Sequence, residues 1–231
     1  MTTVAQTGNT AYTVSVEATV KDTLGKGIDA AANTANFTGF SVAVGCSPKV
    51  VISQLYGGGG SGTGMYKYDF VELHNRGSTA QDLTGWSLQY GSATSAGMSS
   101  TWTLSGSIDA GKYLLIQCGS AGTGGVDITP TPDVNTCTLN IGGTNGKVAL
   151  VKNATALTAC PSLPDTNVVD LVGFGTASCR AGTAAGALST STSAIRNTSG
   201  CDNTYNNLAD FTVGAPAARN STTAAVTCGC D

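Results

Sequence analysis

A chain of 231 residues is long enough for one large β-sandwich with an accessory segment. Only 11% of its residues are charged, against about 25% in an ordinary soluble domain, and its formal net charge is −3. Its 11 Lys and Arg are scattered, which excludes the basic footprint of a nucleic-acid binder and the polybasic stretch of a membrane-surface protein; no apolar run approaches the ~18 residues that cross a bilayer, so no membrane insertion is expected.

Residues 1–10 are polar and unpatterned, and lack the charged and apolar regions of a signal peptide; a secreted chain starting here would be a mature or shortened one. Residues 12–20 then alternate cleanly. Tyr12, Val14, Val16, Ala18 and Val20 share one face, with Thr13, Ser15, Glu17 and Thr19 opposite, which predicts an amphipathic strand. A Gly-rich loop follows at 24–27. Residues 29–36 have room for one helical turn, although their Asn and Thr content opposes a long helix. Phe40, Val42 and Val44 predict another short strand, and Pro48 marks a boundary. The expected organisation is an extension over 1–47, a sandwich over 48–221 and a Cys-containing tail over 222–231.

From residue 50 onward, short strand candidates recur between Gly, Asn, Ser and Pro clusters, the rhythm of an all-β sandwich. The most informative stretch is 69–90. Asp69, Val71 and Leu73 alternate with Phe70, Glu72 and His74. Asn75, Arg76, Gly77 and Ser78 carry turn chemistry, since Asn and Gly accept positive φ at little cost. After a second turn ending at Gly85, Trp86, Leu88 and Tyr90 share one face of the next strand. A Trp after a Gly corner reads as a core anchor burying a large area, and Trp86 is expected in the core against Phe70, or else against Val71 and Leu73. Further strands are expected within 101–117, turning at Asp109 to Gly111, and within 146–151 and 168–174. Long loops are expected at 91–100, 119–136 and 176–194.

Taken in order, the strand and Gly-rich loop at 50–60, the 69–90 hairpin, the later strands and the closing segment 201–220 resemble the bacterial secreted branch of the lamin tail domain family. The resemblance covers residues 49 to about 221. It implies an all-β, immunoglobulin-like β-sandwich, here with an N-terminal strand extension, and an accessory role beside extracellular enzymes rather than chemistry of its own.

Eight cysteines occur: Cys46, Cys118, Cys137, Cys160, Cys179, Cys201, Cys228 and Cys230. None shows Cys-x-x-Cys spacing, and His74 is the single His, so disulfides in an oxidising compartment are expected rather than zinc. Cys118–Cys137 and Cys179–Cys201 are the expected pairs among many possible connectivities.

The sequence carries few signatures of chemistry. His74 has no Gly-x-Ser-x-Gly elbow to serve. The Gly57–Gly64 run lacks the Lys-Ser/Thr of a phosphate loop. Asp69 and Glu72 point to opposite faces of one strand. Asp202, Asn203, Asn206 and Asp210 are dense in oxygen ligands and make a weak calcium candidate without EF-hand spacing. Asn36, Asn153, Asn197 and Asn220 stand in Asn-x-Ser/Thr acceptor sites, which permit glycans. The expectation is therefore a non-enzymatic secreted or cell-surface structural protein without catalytic residues or a resident cofactor. It would self-associate into an extracellular filament by donating the strand at 12–20, or serve as a monomeric adhesion or ligand-binding module.

Overall fold

The computed structural model describes residues 11–15, 19–21, 23–27, 34–38 and 47–229. The chain divides into two compact units, Met1–Val44 and Gly45–Asp231. In the first, β1 (Ala11–Ser15) and β2 (Thr34–Thr38) form a two-stranded antiparallel sheet, Ala11 opposite Thr38 and Ser15 opposite Thr34. Residues 34–36, expected in a helical turn, are thus extended: Thr and Asn are poor helix formers, and cross-strand pairing decides their state. Val16, Ala18 and the expected strand at Phe40 to Val44 lie outside the described residues.

The second unit is an immunoglobulin-like β-sandwich. One sheet has six strands in the order β10 (Val134–Cys137), β9 (Tyr113–Cys118), β4 (Asp69–Asn75), β3 (Val50–Tyr56), β13 (Ser193–Arg196), β14 (Phe211–Gly214). All its pairs are antiparallel except β9 with β10. The facing sheet runs β12 (Val168–Phe174), β11 (Gly146–Val151), β6 (Ser87–Gly91), β7 (Ser100–Thr103), antiparallel throughout. A short ribbon of β5 (Gln81–Asp82) and β8 (Ser107–Ile108) closes one margin.

The main core lies between the sheets, and Val50, Ile52, Leu55, Val71, Leu73, Leu88, Val148, Leu150, Val172 and Phe174 belong to it. In β3 the inward positions run 50, 52 and then 55, because the pairing with β4 slips one residue between Ile52 and Gln54. An extra residue in one strand reverses which side chains face inward beyond it.

Both outer faces are also covered. Tyr56, Phe70, Leu115 and Ile128 form a second apolar cluster outside the six-stranded sheet. Met98, Ala149, Val151, Val168, Leu171 and Cys179 form a third outside the four-stranded one. Every residue of β3, β4, β11 and β12 is therefore buried. The near-continuous apolar runs of β11 and β12 suit strands buried on both faces, whereas β4 buries Asp69, Glu72, His74 and Asn75 along with its apolar residues. The Gly-rich loop after β3 belongs to this covering. A Cβ on Gly59 would stand 2.0 Å from the Tyr68 carbonyl carbon, so only glycine permits the loop to lie against its neighbour.

The C-terminal segment crosses the outer face of the six-stranded sheet. Val226 N–H donates to Gly111 O at 2.8 Å, and Lys112 Nζ donates to Thr223 O at 2.7 Å. Among the described residues, three disulfides close long loops: Cys118–Cys137, Cys160–Cys179 and Cys201–Cys228. The expected Cys179–Cys201 pairing is thereby corrected. Cys179 sits against the outer face of the four-stranded sheet, where the 153–164 loop brings Cys160, while Cys201 meets the returning C-terminal segment. Cys46 and Cys230 lie outside the described residues.

Candidate functional site

Two buried polar clusters, one cleft and one Asx-rich loop are the places where chemistry is concentrated. The first cluster bridges the sheets. Past the slip in β3, Ile52 lies beyond the β13 partners of that strand, which reach only Gln54. Its main chain is satisfied by side chains instead. Ile52 N–H donates to Asp170 Oδ2 at 2.8 Å, and Arg196 Nε donates to Ile52 O at 2.8 Å. Arg196 also donates Nη2 to Asp170 Oδ2, lies 3.7 Å from Asp210, and covers the Phe211 ring at 4.4 Å. Buried charge needs such compensation, and here it is used to pin three strands together.

The second cluster lies under the C-terminal segment. Ser53 Oγ donates to Glu72 Oε1, and Arg219 pairs with the same carboxylate at 2.7 Å. The Arg219 guanidinium covers the Tyr113 ring at 4.1 Å, and that ring stacks on His74 with centroids 4.4 Å apart. Burial pushes Glu72 up despite the pull of Arg219 and Ser53. It pushes His74 below its ordinary value, keeping the imidazole neutral. A serine, a histidine and a carboxylate thus come close together, but the serine proton goes to the glutamate, and all three residues are fully buried. That wiring does not activate a nucleophile, which needs the base on the hydroxyl and access to substrate. His74 also approaches Cys201 and Cys228, but the two sulfurs are bonded to one another and offer no thiolate to a metal.

The calcium candidates are placed differently from what their density suggested. Asp210 accepts from Thr204 N–H and Oγ1–H at 2.8 and 2.7 Å and faces the Arg196 guanidinium. Asn206 caps the turn at Asn207–Asp210 by accepting from Leu208 N–H. Asp202 presents its carbonyl to Arg196, and the side-chain nitrogen of Asn203 is buried without a hydrogen-bond partner. The Asp210 and Asn206 side chains are committed to loop architecture, with a fixed cation already beside Asp210.

Trp86 is the clearest departure from expectation. It packs against the main core, on the side of Val71 and Leu73 rather than Phe70, but it is only partly buried. It stands just ahead of β6, at a turn where Gly85 has φ +81°, so part of its indole reaches beyond the sheet's inner face. There it joins the wall of a cleft of about 640 Å³ with Lys49, Val50, Gln81, Lys152, Asp165 and Tyr205. Ser47, Pro48, Pro164, Val168 and Val169 complete it. Tyr205 is held over this cleft with a left-handed backbone, φ +56°, and its hydroxyl donates to Ser47 O at 3.3 Å. A non-glycine residue in that conformation is strained, and such strain concentrates at functional places. Nothing in the local sequence around Tyr205 signalled this cleft, because its walls come from five separated stretches of chain. Of the assembly-strand residues, Tyr12 and Val14 lie in β1, and Val20 is exposed.

The strands at 69–75 and 87–91, expected as one hairpin, lie in opposite sheets, because β4 pairs with β3 and β9 while β6 pairs with β11 and β7. Two packed sheets and intramolecular disulfides define an immunoglobulin-like domain of the kind stable in an oxidising, extracellular-type environment. Residues 46–176 match the family model described as Lamin Tail Domain, and the chain belongs to that family. Domains of this family are generally non-enzymatic, in keeping with the miswired buried serine and histidine. No curated protein matches the chain. No helix among the described residues is long and apolar enough to cross a membrane.

Proposed function

We propose that this chain is a non-enzymatic extracellular structural protein, a filament subunit whose N-terminal strands pair with a neighbouring copy. The observation that carries the reading is that β1 and β2 form a two-stranded sheet of their own within a separate compact unit. A two-stranded sheet is marginal in water, and strand edges are templates for further pairing. The sandwich offers edges to receive such a strand: β14, where Thr212 is exposed, and β7, where Ser100 and Thr103 are exposed. Donation from one copy to the next is a head-to-tail contact, which propagates as a filament unless it closes into a ring. The low charge of the chain suits dense packing of copies.

Deletion of residues 1–22 tests the reading. Electron microscopy and sedimentation should find filaments for the full chain and a folded monomer for the truncated one, to which a peptide of residues 10–22 binds. A full chain that remains monomeric at high concentration defeats it. The second reading, a monomeric binding module accessory to extracellular enzymes, then takes its place, favoured by the cleft beside Trp86.

A further inference from the structure

We propose that the cleft walled by Trp86, Tyr205, Lys49 and Lys152 is a binding site for acidic oligosaccharides, chains of uronate sugars in particular. The proposal does not depend on how copies of the chain assemble, because every wall of the cleft belongs to the sandwich unit.

Nine Lys and Arg side chains lie in the described sandwich, at positions 49, 67, 76, 112, 147, 152, 180, 196 and 219. Seven are committed within the protein. Lys67 pairs with Asp127. Lys112 and Lys147 donate to main-chain carbonyls. Arg76 and Arg180 do the same. Arg196 and Arg219 pair with buried carboxylates. Lys49 and Lys152 are exposed, and their side-chain ammonium groups have neither an ion pair nor a hydrogen bond among the described residues. Both line the same cleft. On a surface so poor in charge, two uncommitted ammonium groups at one concavity outweigh its one carboxylate, Asp165, and favour an anion.

Shape and chemistry narrow the anion. The cleft's volume of about 640 Å³ lies in the range of small-molecule sites, and its floor, Val50, Val168 and Val169, is buried and apolar. Trp86 is only partly buried, and Tyr205 lines the same cleft with its hydroxyl held by Ser47 O. An aromatic face of this kind takes the flat C–H face of a pyranose while its rim stays wet. Gln81 supplies an amide donor and acceptor at the edge. Asp165 Oδ1 accepts from the main-chain N–H groups of Asn167 and Val168, which hold its carboxyl below the usual range and keep it ionised. Its other oxygen remains to accept from sugar hydroxyls. A phosphate or a bare carboxylate would use the lysines and leave the aromatic wall idle; a neutral sugar would use the wall and leave the lysines idle. A uronate chain uses both.

The test is titration of the full chain with a galacturonate hexamer, read by tryptophan fluorescence and by calorimetry in low salt. The probes for comparison are a neutral glucose hexamer and a glutamate hexapeptide. The expected result is saturable binding of the galacturonate hexamer with a tryptophan signal. Binding should weaken at least tenfold in Lys49→Gln/Lys152→Gln and in high salt, since exposed charge interactions are screened. The neutral hexamer and the peptide should bind at least tenfold more weakly than the uronate. The two lysines are exposed, so the double variant should keep the unfolding midpoint of the parent. Trp86→Phe, a milder change than truncation, should lower affinity while the fold persists. Absence of galacturonate binding, equal binding of the neutral sugar, equal binding of the acidic peptide, or an unchanged affinity in the double-lysine variant would each overturn the assignment. Filament formation is read separately, so failure of one result leaves the other standing.

Discussion

Arg196→Met removes the cation that binds the two sheets together, and its cost can be worked from the surroundings of that side chain. The guanidinium is fully buried, with Asp170 and Asp210 as its carboxylate neighbours at 4% and 1% side-chain exposure. Deleting it leaves two carboxylates in the interior whose remaining cation, Arg76, acts on them through space and not by direct pairing, and breaking a buried pair costs about 3–5 kcal/mol. It also strips the donor from Ile52 O and Asp202 O, each worth about 1 kcal/mol or more when left buried and unpaired. Because these groups act as one network, the terms do not simply add, and a loss of about 5 kcal/mol is expected. That is a large part of the total stability of any domain, about 5–15 kcal/mol. Urea unfolding with the disulfides intact should show a lower midpoint at unchanged slope, and the thermal midpoint should fall by roughly 10–20 °C. Adding Asp170→Asn removes one orphaned charge and keeps an acceptor for Ile52 N–H. The double variant should therefore be less damaged than the sum of the two single ones by about 2 kcal/mol. A loss below about 1 kcal/mol for Arg196→Met, or strict additivity with Asp170→Asn, would refute the account of this network.

The Asp69 carboxyl is pushed up to about 6 by burial, partly offset by N–H groups of Ile141 and Gly59 at 2.8 and 2.9 Å. A carboxyl raised in the folded state binds its proton more tightly there than in the unfolded chain. Its contribution to stability is therefore fully present below about pH 4 and lost as pH rises through about 6. Relative to Asp69→Asn, the parent should gain roughly 2–3 kcal/mol on going from pH 7 to pH 4, measured by urea midpoints; a constant difference would contradict the assignment. Peptide mapping without reduction should recover a Cys160–Cys179 cross-link and no Cys179–Cys201 one. Replacing both Cys160 and Cys179 by Ser should cost about 3 kcal/mol, the chain entropy of a loop of that length, and a neutral effect would mean the bridge is not formed in solution.

The alternation of residues 69–75, the turn at Asn75 to Ser78 and the strand led by Trp86 were legible because strand periodicity and turn chemistry are local properties of the chain. With the order of the later strands, they sufficed for the sandwich and the family. The same local rule fails where burial has a distant cause. Alternation left open which face of this strand is inward; Val71 and Leu73 face the main core, yet Phe70, Glu72 and His74 are buried too, because a segment near Ala218 and Arg219 returns across them. The residues that close this face are separated from β4 by well over a hundred positions.

Cysteine pairing divides in the same way. Cys118 and Cys137 end neighbouring strands, so strand order brings them together, whereas Cys160, Cys179, Cys201 and Cys228 are matched by loops whose paths have no periodic signal. The oxygen-rich loop at 202–210 shows why composition does not specify a ligand. Its Asp210 carboxylate is occupied by Thr204 and faced by Arg196, a residue whose role depends on a one-residue slip in β3. Trp86 is the sharpest case. Its sequence context determined that it would lie against the core, since a large apolar ring after a glycine corner gains most by burial. Only the tertiary structure decided that part of the ring stays uncovered, because Lys49, Lys152, Asp165 and Tyr205 arrive from separate loops and leave a cleft there instead of filling it.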